Sequence, residues 1–558
     1  MKKPLPPFPM MLPDDAVALK DLVASMALTI HQLNTRIDTL LEQLRLGRRR
    51  EFTSNRDTCD HQADLFFNEA EAAGPVEDDA CAEYASADII QDRISDVEPL
   101  VKEKKKPGRR ALNPALPRID IIHDLPEHEK TCVCGCLLTF IGSEITEQLD
   151  IIPAQVQVLA HHRQKYVCRG CKGAPITARL PPQLIPGGQL SASTYAYIAV
   201  AKYVDALPLY RQEVICDRLG FPLPRNTLAH AMMNVSDALQ PLLNCLFDYL
   251  FEGIYLQLDE SVLQVLKEPG RDAEQPSRMW ICRGGLADKP VVWFHYSEER
   301  TAAVARELIG DFTGYVQSDG YGAYDSACKN NKNLMQLGCC AHGRRYFVEA
   351  VNAQPIDQID QITRAHQGVA FFDKLYQLED EIKHLPPEEK YQQRQQYAVP
   401  IGVKFRAWLD KTLHEIKPQG KLGKALNYAH RQWDKLLRYC DNGHLNIDNN
   451  LAENALRPFV LGRKNWLFAA TPHGAHASAK LYSVMETAKA NGLEPYSYLK
   501  HVFEILPTLL RQNGTVDLDG LEALLPWNCK GICQAKFVEE NKNRRGKMAK
   551  LKFSAIHQ

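Results

Sequence analysis

The sequence predicts a multidomain protein with an α/β domain in its second half, and two observations support this prediction. The chain has 558 residues, and a chain of this length usually folds into several domains, each with its own hydrophobic core. Residues 254–296 have the pattern of three consecutive strands, and a helix and a fourth strand follow between residues 300 and 319. Three strands, a crossover helix and a strand parallel to the first are the order of an RNase H-like sheet. Residues 251–347 and 440–510 are therefore predicted to form one such domain.

The row Tyr-x-Gln-x-Asp occurs twice in this region, ending at Asp259 and at Asp319. Because side chains alternate along a strand, Tyr255, Gln257 and Asp259 share one face, and the second row repeats the arrangement. If the two strands are neighbours about 4.8 Å apart, both aspartates lie side by side at the carboxyl ends, where open α/β sheets bind ligands. Two such carboxylates repel each other unless a cation lies between them. The rows therefore predict a site for Mg²⁺ or Mn²⁺.

A third carboxylate is expected to complete this site, and residues 447–468 supply it on a predicted helix. Asp448 or Asn449 can cap this helix, and Glu453 projects from a side other than its apolar stripe. The predicted buried stripe consists of Leu451, Ala455 and Phe459. Glu260, Asp311 and Asp325 are instead expected to be exposed charges or helix caps.

Composition and charge argue against a membrane protein. With 45% hydrophobic and 24% charged residues, the chain has no apolar run near the roughly 20 residues of a membrane span. No signal-peptide pattern opens the sequence, so a cytoplasmic location is expected. The net charge is −1, but basic residues concentrate at 46–50, 102–110 and 541–552. Each basic segment taken separately is typical of a solvated linker or tail, whereas together they are candidate phosphate contacts.

The N-terminal residues 14–46 have the pattern of a coiled-coil helix. Val23, Ile30 and Ile37 occupy one seam position, and Met26, Leu33 and Leu40 occupy the other. This division of β-branched and unbranched residues favours a parallel two-stranded coil and hence a homodimer, although a helix packed on its own chain remains an alternative. Residues 51–118 lose this periodicity. They are predicted to be an acidic and then basic linker, largely disordered.

Residues 119–180 contain two clusters of cysteines about thirty residues apart. In a chain expected in the cytoplasm, disulfides are not favoured, and two cysteine hairpins can hold one Zn²⁺ in a module too small for its own core. The predicted zinc ligands are Cys132, Cys134, Cys168 and Cys171, with Cys136 or His123 as alternatives for one position. The sequence therefore predicts a small zinc-binding module.

Three further regions are predicted to be helical or to extend the chain. Residues 190–250 read as helices, and two interpretations remain open for them: a helix-turn-helix that binds DNA, or a plain helical connector. Residues 348–439 are predicted to be a helical insertion. Residues 511–558 form a C-terminal segment that ends in the basic tail.

Several segments together resemble the insertion-sequence-66 family of bacterial DDE transposases. They include KYVDALPLYR (202–211), SDGYGAYD (318–325), CCAHGRRYF (339–347) and DNNLAENALRPFVLGRKNWLFA (448–469). The resemblance implies a catalytic triad of Asp259, Asp319 and Glu453. The strand pattern selects the same two aspartates, and the helix pattern selects the same glutamate. Candidate contacts to DNA phosphates are Arg457, Arg463, Lys464, His342, Arg344 and Arg345. The chain departs from the family pattern at Gly343, where Ala is usual, and at Asn454, where Arg is common.

The resemblance implies a transposase that binds the terminal repeats of an insertion sequence and joins them to target DNA. In this two-metal phosphoryl transfer, one ion activates water to cut the transposon end, and the freed 3′ hydroxyl then attacks the target. The implied partners are double-stranded DNA, a second copy of the chain or a larger assembly, and small accessory proteins from the same element. Two alternatives remain: an RNase H-like nuclease without strand transfer, and a non-catalytic, zinc-containing dimeric DNA-binding protein.

Overall fold

A computed structural model describes part of the chain, and that part includes both predicted aspartates and the predicted glutamate. The described residues are Lys20, short runs between 26 and 44, 156–166, 176–329, 331–354, 362–510 and 516–533. The predicted linker, the predicted zinc ligands and the basic tail lie outside these residues. The chain divides into two compact units, one of Asp88–Leu180 and one of Met1–Ala87 with Pro181–Gln558.

The described N-terminal residues between 20 and 44 are helical. The seam residues Met26, Ile30, Leu33, Ile37 and Leu40 are between 42% and 55% exposed. The pairing of this helix with a second copy stays a prediction. In the unit Asp88–Leu180, the short strands β1 (Lys165–Tyr166) and β2 (Ile176–Thr177) pair antiparallel, and the sequence between them carries two of the predicted zinc ligands.

Four helices lie between residues 192 and 250, and the last of them packs against two strands of the central sheet, described below. They are α1 (Ala192–Tyr203), α2 (Leu209–Arg218), α3 (Arg225–Ala238) and α4 (Gln240–Leu250). Between α2 and α3 the chain turns at Gly220, whose φ of 83° favours glycine. The face of α3 that carries Leu228, Met232 and Val235 is buried in the main core. The two helices therefore exist as predicted, and a role in DNA binding stays a prediction.

The central sheet is mixed and contains six strands. They are β3 (Tyr255–Val265), β4 (Pro276–Leu286), β5 (Lys289–Ser297), β6 (Gly314–Gln317), β7 (Leu334–Leu337) and β8 (Phe468–Ala469). The order is β5-β4-β3-β6-β7, and β8 pairs with the end of β3. Strand β4 is antiparallel to both β3 and β5, whereas β6 is parallel to β3 and to β7. The predicted parallel pairing of the two Tyr-x-Gln-x-Asp strands is thus confirmed.

The remaining helices of the α/β domain pack around this sheet. They are α5 (Ala302–Ile309), α6 (Gly322–Cys328), α7 (Cys340–Asn352) and, after the insertion, α13 (Asn450–Trp466), α14 (Pro472–Ala490), α15 (Pro495–Leu509), α16 (Leu518–Ala523) and α17 (Lys530–Cys533). Helix α14 lies against β5, where Ser483 and Thr487 accept hydrogen bonds from the main-chain N–H of Phe294 (2.8 Å) and Val292 (3.0 Å). These hydroxyls satisfy donors of a sheet edge that would otherwise remain open.

The insertion between α7 and α13 is helical, as the sequence predicts, and has its own apolar core. It consists of α8 (Arg364–Ile382), α9 (Pro387–Gln393), a π-helical turn (Arg394–Ala398), α10 (Val399–Leu413), α11 (Lys421–Arg431), α12 (Trp433–Leu437) and a 3₁₀ turn (Arg438–Asp441). Its core is aromatic, and Phe371 stacks on Phe405 with ring centroids 4.6 Å apart. The Arg394 side chain is 2% exposed, forms an ion pair with Glu379 at 2.7 Å and donates hydrogen bonds to three carbonyls between residues 439 and 445. No helix in the described part of the chain is long and apolar enough to span a membrane.

Gly343 lies where α7 packs on the core of the insertion, and a methyl group there would meet Phe372. A Cβ at Gly343 would lie 2.7 Å from Cζ of Phe372, a ring that is 1% exposed and packs edge-on against Phe405. We expect Gly343→Ala to lower the free energy of unfolding by about 1–3 kcal/mol, because overpacking outweighs the helix-propensity gain of about 1 kcal/mol. Urea titration followed by tryptophan fluorescence measures this, since all six tryptophans lie between residues 280 and 527.

The matched control for this prediction is the same substitution in a chain that carries Phe372→Leu. The smaller side chain leaves room for the methyl group, so the cost of Gly343→Ala should fall by about 1 kcal/mol in that background. If Gly343→Ala stabilises the unaltered protein, the contact between Gly343 and Phe372 is not as tight as described.

Candidate catalytic and metal-binding site

The two Tyr-x-Gln-x-Asp rows lie side by side on β3 and β6, so that like residues of the two rows are neighbours. Tyr255 is opposite Tyr315 and Gln257 is opposite Gln317, so the aspartates follow at the carboxyl ends of the paired segments. Both tyrosines pack against the apolar core of the insertion. In each row, the tyrosine therefore contacts the insertion, the glutamine binds a loop, and the aspartate presents a carboxylate.

The two glutamines are completely buried and share a hydrogen-bond network, in which Oε1 of Gln257 makes no hydrogen bond within the described residues. Gln257 and Gln317 are both 0% exposed, and Nε2 of Gln257 donates to Oε1 of Gln317 at 2.9 Å. Nε2 of Gln257 also donates to the Asp448 carbonyl at 3.0 Å. Nε2 of Gln317 donates to the carbonyls of Gly338 at 2.9 Å and Asn446 at 3.1 Å. The glutamines thus fasten to the sheet the loop that leads into the helix of Glu453.

One carboxylate oxygen of each aspartate accepts a hydrogen bond from a nearby backbone N–H. Oδ1 of Asp259 accepts a hydrogen bond from the N–H of Glu260 at 2.8 Å, and Oδ1 of Asp319 accepts one from the N–H of Tyr321 at 2.9 Å. Within the described residues, the second oxygen of each carboxylate makes no hydrogen bond and remains available to a ligand. Asp259 is thus held by the next residue of β3, and Asp319 by the residue two positions further along the chain.

Glu453 lies in the first turn of α13, which crosses the sheet beside β3. The Asn449 side chain positions the start of this helix, since its Nδ2 donates to the Leu258 carbonyl at 2.9 Å. Asn449 is at the N-cap position as predicted, but its side chain bonds the sheet and not the helix. The predicted buried stripe is wrong at Leu451, which is 41% exposed. The helix instead buries Ala452, Leu456 and Phe459, because it meets the sheet with a face rotated by one residue.

The three carboxylates are close enough to repel one another electrostatically. Burial raises the pKa of Asp259 well above its ordinary value, and the negative charges of Glu453, Glu260 and Asp319 raise this pKa further. In this environment a divalent cation would replace the missing solvation and cancel the repulsion. The electrostatics of Asp259 therefore fit a metal ligand better than a structural acid.

A second cluster of side chains meets Glu453 from the start of α7. The ligand atoms of Cys339, His342 and Glu453 all lie within 4.8 Å of one another. Nδ1 of His342 is 3.5 Å and Sγ of Cys339 is 4.0 Å from Oε1 of Glu453, and Nη2 of Arg345 is 3.9 Å from Oε2. Burial lowers the pKa of His342, while Glu453 opposes this shift. His342 and Arg345, predicted as contacts to DNA, are therefore neighbours of the third acid.

Glu260 was expected to be an exposed charge, and this expectation is wrong. Its side chain is only 3% exposed and forms an ion pair with Arg300 and a hydrogen bond with the Tyr324 hydroxyl. The Arg300 guanidinium lies 3.8 Å from the centre of the Tyr321 ring, next to the Asp319 turn. Alternation does turn Glu260 away from Asp259, but the opposite side of the strand holds a buried ion pair at this position instead of solvent.

The insertion contacts two of the three acidic segments directly. The Tyr428 hydroxyl on α11 donates to the main-chain carbonyl of Asp319 at 2.8 Å, and the Tyr376 hydroxyl on α8 donates to Oδ2 of Asp448 at 2.9 Å. The sequence carried no signal for these tyrosines, because they contact residues 109 and 72 positions away. By contrast, Cys339 and His342 have the i, i+3 spacing of two ligands on one helical turn, and this spacing could have identified Cys339.

The other candidate contacts to DNA are dispersed around this site. Arg344 forms an ion pair with Asp373 of the insertion at 2.7 Å. Arg457 follows Glu453 by one turn of α13, and Arg463 and Lys464 lie in its last turn. Nη1 of Arg463 donates to Oγ of Ser261 at 3.3 Å and to the Val262 carbonyl, beyond Asp259 on β3. The structure therefore separates the six candidates into those near Glu453 and those farther along α13 or toward the insertion.

Three relatives from Sinorhizobium fredii are similar to this chain over most of its length. The uncharacterized protein y4jD is 32% identical over 427 residues, which cover 74% of this chain and 81% of the relative. The uncharacterized protein y4qI is 32% identical over 447 residues, covering 77% and 79%. The uncharacterized protein y4hP is 28% identical over 520 residues, covering 89% and 88%.

Three family models match consecutive parts of the chain. The zinc-finger binding domain of transposase IS66 matches residues 129–172, which include all five clustered cysteines but not His123. The transposase IS66 family matches residues 187–477, which include the sheet, the insertion and all three acids. The IS66 C-terminal element matches residues 483–527. The chain therefore belongs to the IS66 family of transposases.

Proposed function

We propose that this transposase cuts and joins DNA at the site formed by Asp259, Asp319 and Glu453. The observation that supports this most directly is the convergence of three acids from separate segments on one edge of the sheet, where burial and mutual repulsion raise the pKa of Asp259. The strand order β5-β4-β3-β6-β7 is the one expected of an RNase H-like domain and supports the same proposal. The reaction is the cleavage of transposon ends and their transfer to target DNA.

The three carboxylates would hold divalent cations, and Mg²⁺ or Mn²⁺ fits their oxygen donors. When bound, such ions would activate the attacking hydroxyl and stabilise the charge on the leaving oxygen. The contribution of the chain is to hold the carboxylates in place. Asn449 and the two glutamines position the Glu453 helix, and the insertion holds the Asp319 turn through Tyr428.

The DNA backbone is proposed to pass over the end of β3, where two arginines lie together. Arg278 on β4 is opposite Val262, whose carbonyl accepts a hydrogen bond from Arg463. Burial lowers the pKa of Arg463, and the nearby charge of Arg278 lowers it further. Nε and Nη1 of Arg278 are shielded from solvent and make no hydrogen bond within the described part of the chain. Two guanidinium groups with unused donors fit an anion such as a DNA phosphate.

We expect Arg278→Gln to weaken binding of a duplex that carries the element's ends by about tenfold, because one charge-assisted phosphate contact is lost. The slope of log affinity against log salt should become shallower by about one. Fluorescence anisotropy at several salt concentrations measures both quantities. The matched control is Arg306→Gln on the exposed side of α5, which removes the same charge. Equal effects of the two substitutions would argue against a phosphate at Arg278.

The proposed function is tested by cleavage and joining of a labelled duplex that carries the element's own ends. Unaltered protein with Mg²⁺ should give joined products, and EDTA or Asp319→Asn should abolish them. Cleavage without joining would favour an RNase H-like nuclease. Tight binding without any chemistry, even after accessory proteins are added, would favour a non-catalytic DNA-binding protein.

The remaining assignments complete this proposal. The zinc-finger match indicates a structural zinc, for which Cys132, Cys134, Cys168 and Cys171 are the proposed ligands, with Cys136 as an alternative for one of them. Pairing of two chains through the N-terminal seam would bring two transposon ends together. Because its substrate is bacterial DNA, the protein is proposed to act in the cytoplasm, together with small accessory proteins of the same element.

A further inference from the structure

We propose that Cys339, His342 and Glu453 form a binding site for a divalent transition-metal ion of the Zn²⁺ class, separate in chemistry from the proposed Mg²⁺ site. The three donors are a sulfur, a nitrogen and a carboxylate oxygen, and all lie within 4.8 Å of one another. Two come from the start of α7 and the third from the first turn of α13. Mg²⁺ takes oxygen ligands, whereas this donor set suits Zn²⁺ and Co²⁺.

Two of the three distances within this cluster approach those of an occupied tetrahedral site. Bond lengths typical of zinc place neighbouring nitrogen, oxygen and sulfur ligands about 3.3 to 3.6 Å apart. Nδ1 of His342 is 3.5 Å and Sγ of Cys339 is 4.0 Å from Oε1 of Glu453, and the ligand atoms of Cys339 and His342 lie within 4.8 Å of each other. The metal would therefore require movements of up to about 1 Å. The fourth position remains open for water, as in zinc sites that exchange ligands.

The environment of His342 gives an independent indication of a ligand. Its Nδ1 is shielded from solvent and makes no hydrogen bond within the described residues, although it faces Glu453. A buried polar atom without a partner is costly, and a metal bond would satisfy it. On the other side of the cluster, Sγ of Cys339 accepts a hydrogen bond from the N–H of Asn449 at 3.3 Å. A hydrogen bond of this kind orients the sulfur that would serve as a ligand.

The consequence of this site rests on the proposed function, since Glu453 belongs to both sets of ligands. An ion held by Cys339 and His342 would occupy the Glu453 carboxylate, which would then not be free to bind Mg²⁺ together with Asp259 and Asp319. A Zn²⁺-class ion should therefore inhibit DNA cleavage in the presence of Mg²⁺. The proposed ligand set thus predicts a transposase whose activity falls as available zinc rises.

The test is a Co²⁺ titration of the full chain that carries one equivalent of Zn²⁺, which the four thiolates of the zinc module bind ahead of the three-donor site and which Co²⁺ displaces poorly. Thiolate-bound Co²⁺ gives a sulfur-to-metal charge-transfer absorption that carboxylate and histidine sites lack. We expect this absorption in the unaltered protein and its loss in Cys339→Ser. We expect His342→Ala to weaken Co²⁺ binding at least tenfold. The matched control is Cys340→Ser, because the neighbouring buried thiol contacts the Leu436 carbonyl and not Glu453.

The outcomes separate this proposal from the proposed function. Identical Co²⁺ spectra for the unaltered protein and Cys339→Ser, with both proteins folded by circular dichroism, would overturn the site whether or not the protein cuts DNA. In the cleavage assay, the Zn²⁺ concentration for half inhibition should rise at least tenfold in Cys339→Ser, relative to the zinc-free rate of that variant. An unchanged value would overturn the inhibitory role. Absence of cleavage under all conditions would contradict the proposed function and leave the Co²⁺ result to decide the site.

Discussion

Asp259→Asn is expected to abolish metal-dependent DNA cleavage and, in EDTA, to make the protein more stable. Loss of one carboxylate from a two-metal site should lower the cleavage rate by about a thousandfold or more, which corresponds to about 4 kcal/mol. Asparagine keeps the oxygen that accepts the hydrogen bond from Glu260 but removes the charge that faces Glu453, Glu260 and Asp319. The free energy of unfolding should therefore rise by about 1–2 kcal/mol.

The direction of this stability effect follows from the raised pKa of Asp259. Because its pKa is higher in the folded than in the unfolded state, the folded state holds more protons, and stability falls as pH rises above about 4. The advantage of Asn should therefore be small near pH 4 and larger at neutral pH. Thermal melting in EDTA at both pH values measures it.

The same substitution at an exposed acid provides the control for Asp259→Asn. Asp311 is exposed in the loop before β6, so Asp311→Asn should leave both cleavage and stability nearly unchanged. Mg²⁺ should also raise the melting temperature of the unaltered protein more than that of Asp259→Asn. A variant that cuts DNA at the normal rate, or one that is less stable than the unaltered protein in EDTA, would contradict the role given to Asp259.

Gln317→Leu is expected to be among the most destabilising single substitutions in the α/β domain. Leucine has a similar volume, but it would remove one acceptor of the Tyr255 hydroxyl and the donor that the carbonyls of Gly338 and Asn446 share. Each buried group that loses a partner costs about 1–3 kcal/mol, so the free energy of unfolding should fall by about 3–6 kcal/mol after relaxation. Urea titration followed by tryptophan fluorescence measures the loss.

Gln264→Leu is the matched control, because it makes the same change on the neighbouring strand β3 at a more exposed position. Nε2 of Gln264 makes one exposed hydrogen bond to the Ala273 carbonyl at 2.9 Å, so its loss should cost about 0.5 kcal/mol or less. Similar effects of the two substitutions would show that the buried glutamine network does not fasten the loop before α13. Gln317→Leu should also reduce cleavage in the fraction that remains folded, since this loop positions Glu453.

The sequence by itself determined the part of the site that depends on local geometry. The period of two along a strand placed each glutamine and aspartate on one face, and the order of elements made β3 and β6 neighbours. The confirmed register, with Gln257 opposite Gln317, follows from these two rules. Glu453 could also be predicted from local geometry, because a helix that starts near Asn449 carries it in its first turn.

Only the tertiary structure decided which side chains surround these acids, because the contacts join residues that are distant in sequence. Cys339 meets Glu453 across 114 positions, and Tyr428 reaches the Asp319 carbonyl across 109. The rotation of α13 was also undetermined, since its apolar residues allow more than one buried face and packing on the sheet selects Ala452 over Leu451. Glu260 shows the same limit, because alternation gives the direction of a side chain but not the arginine that it meets. Strand and helix periods act within a few residues, whereas packing selects among the faces that they offer.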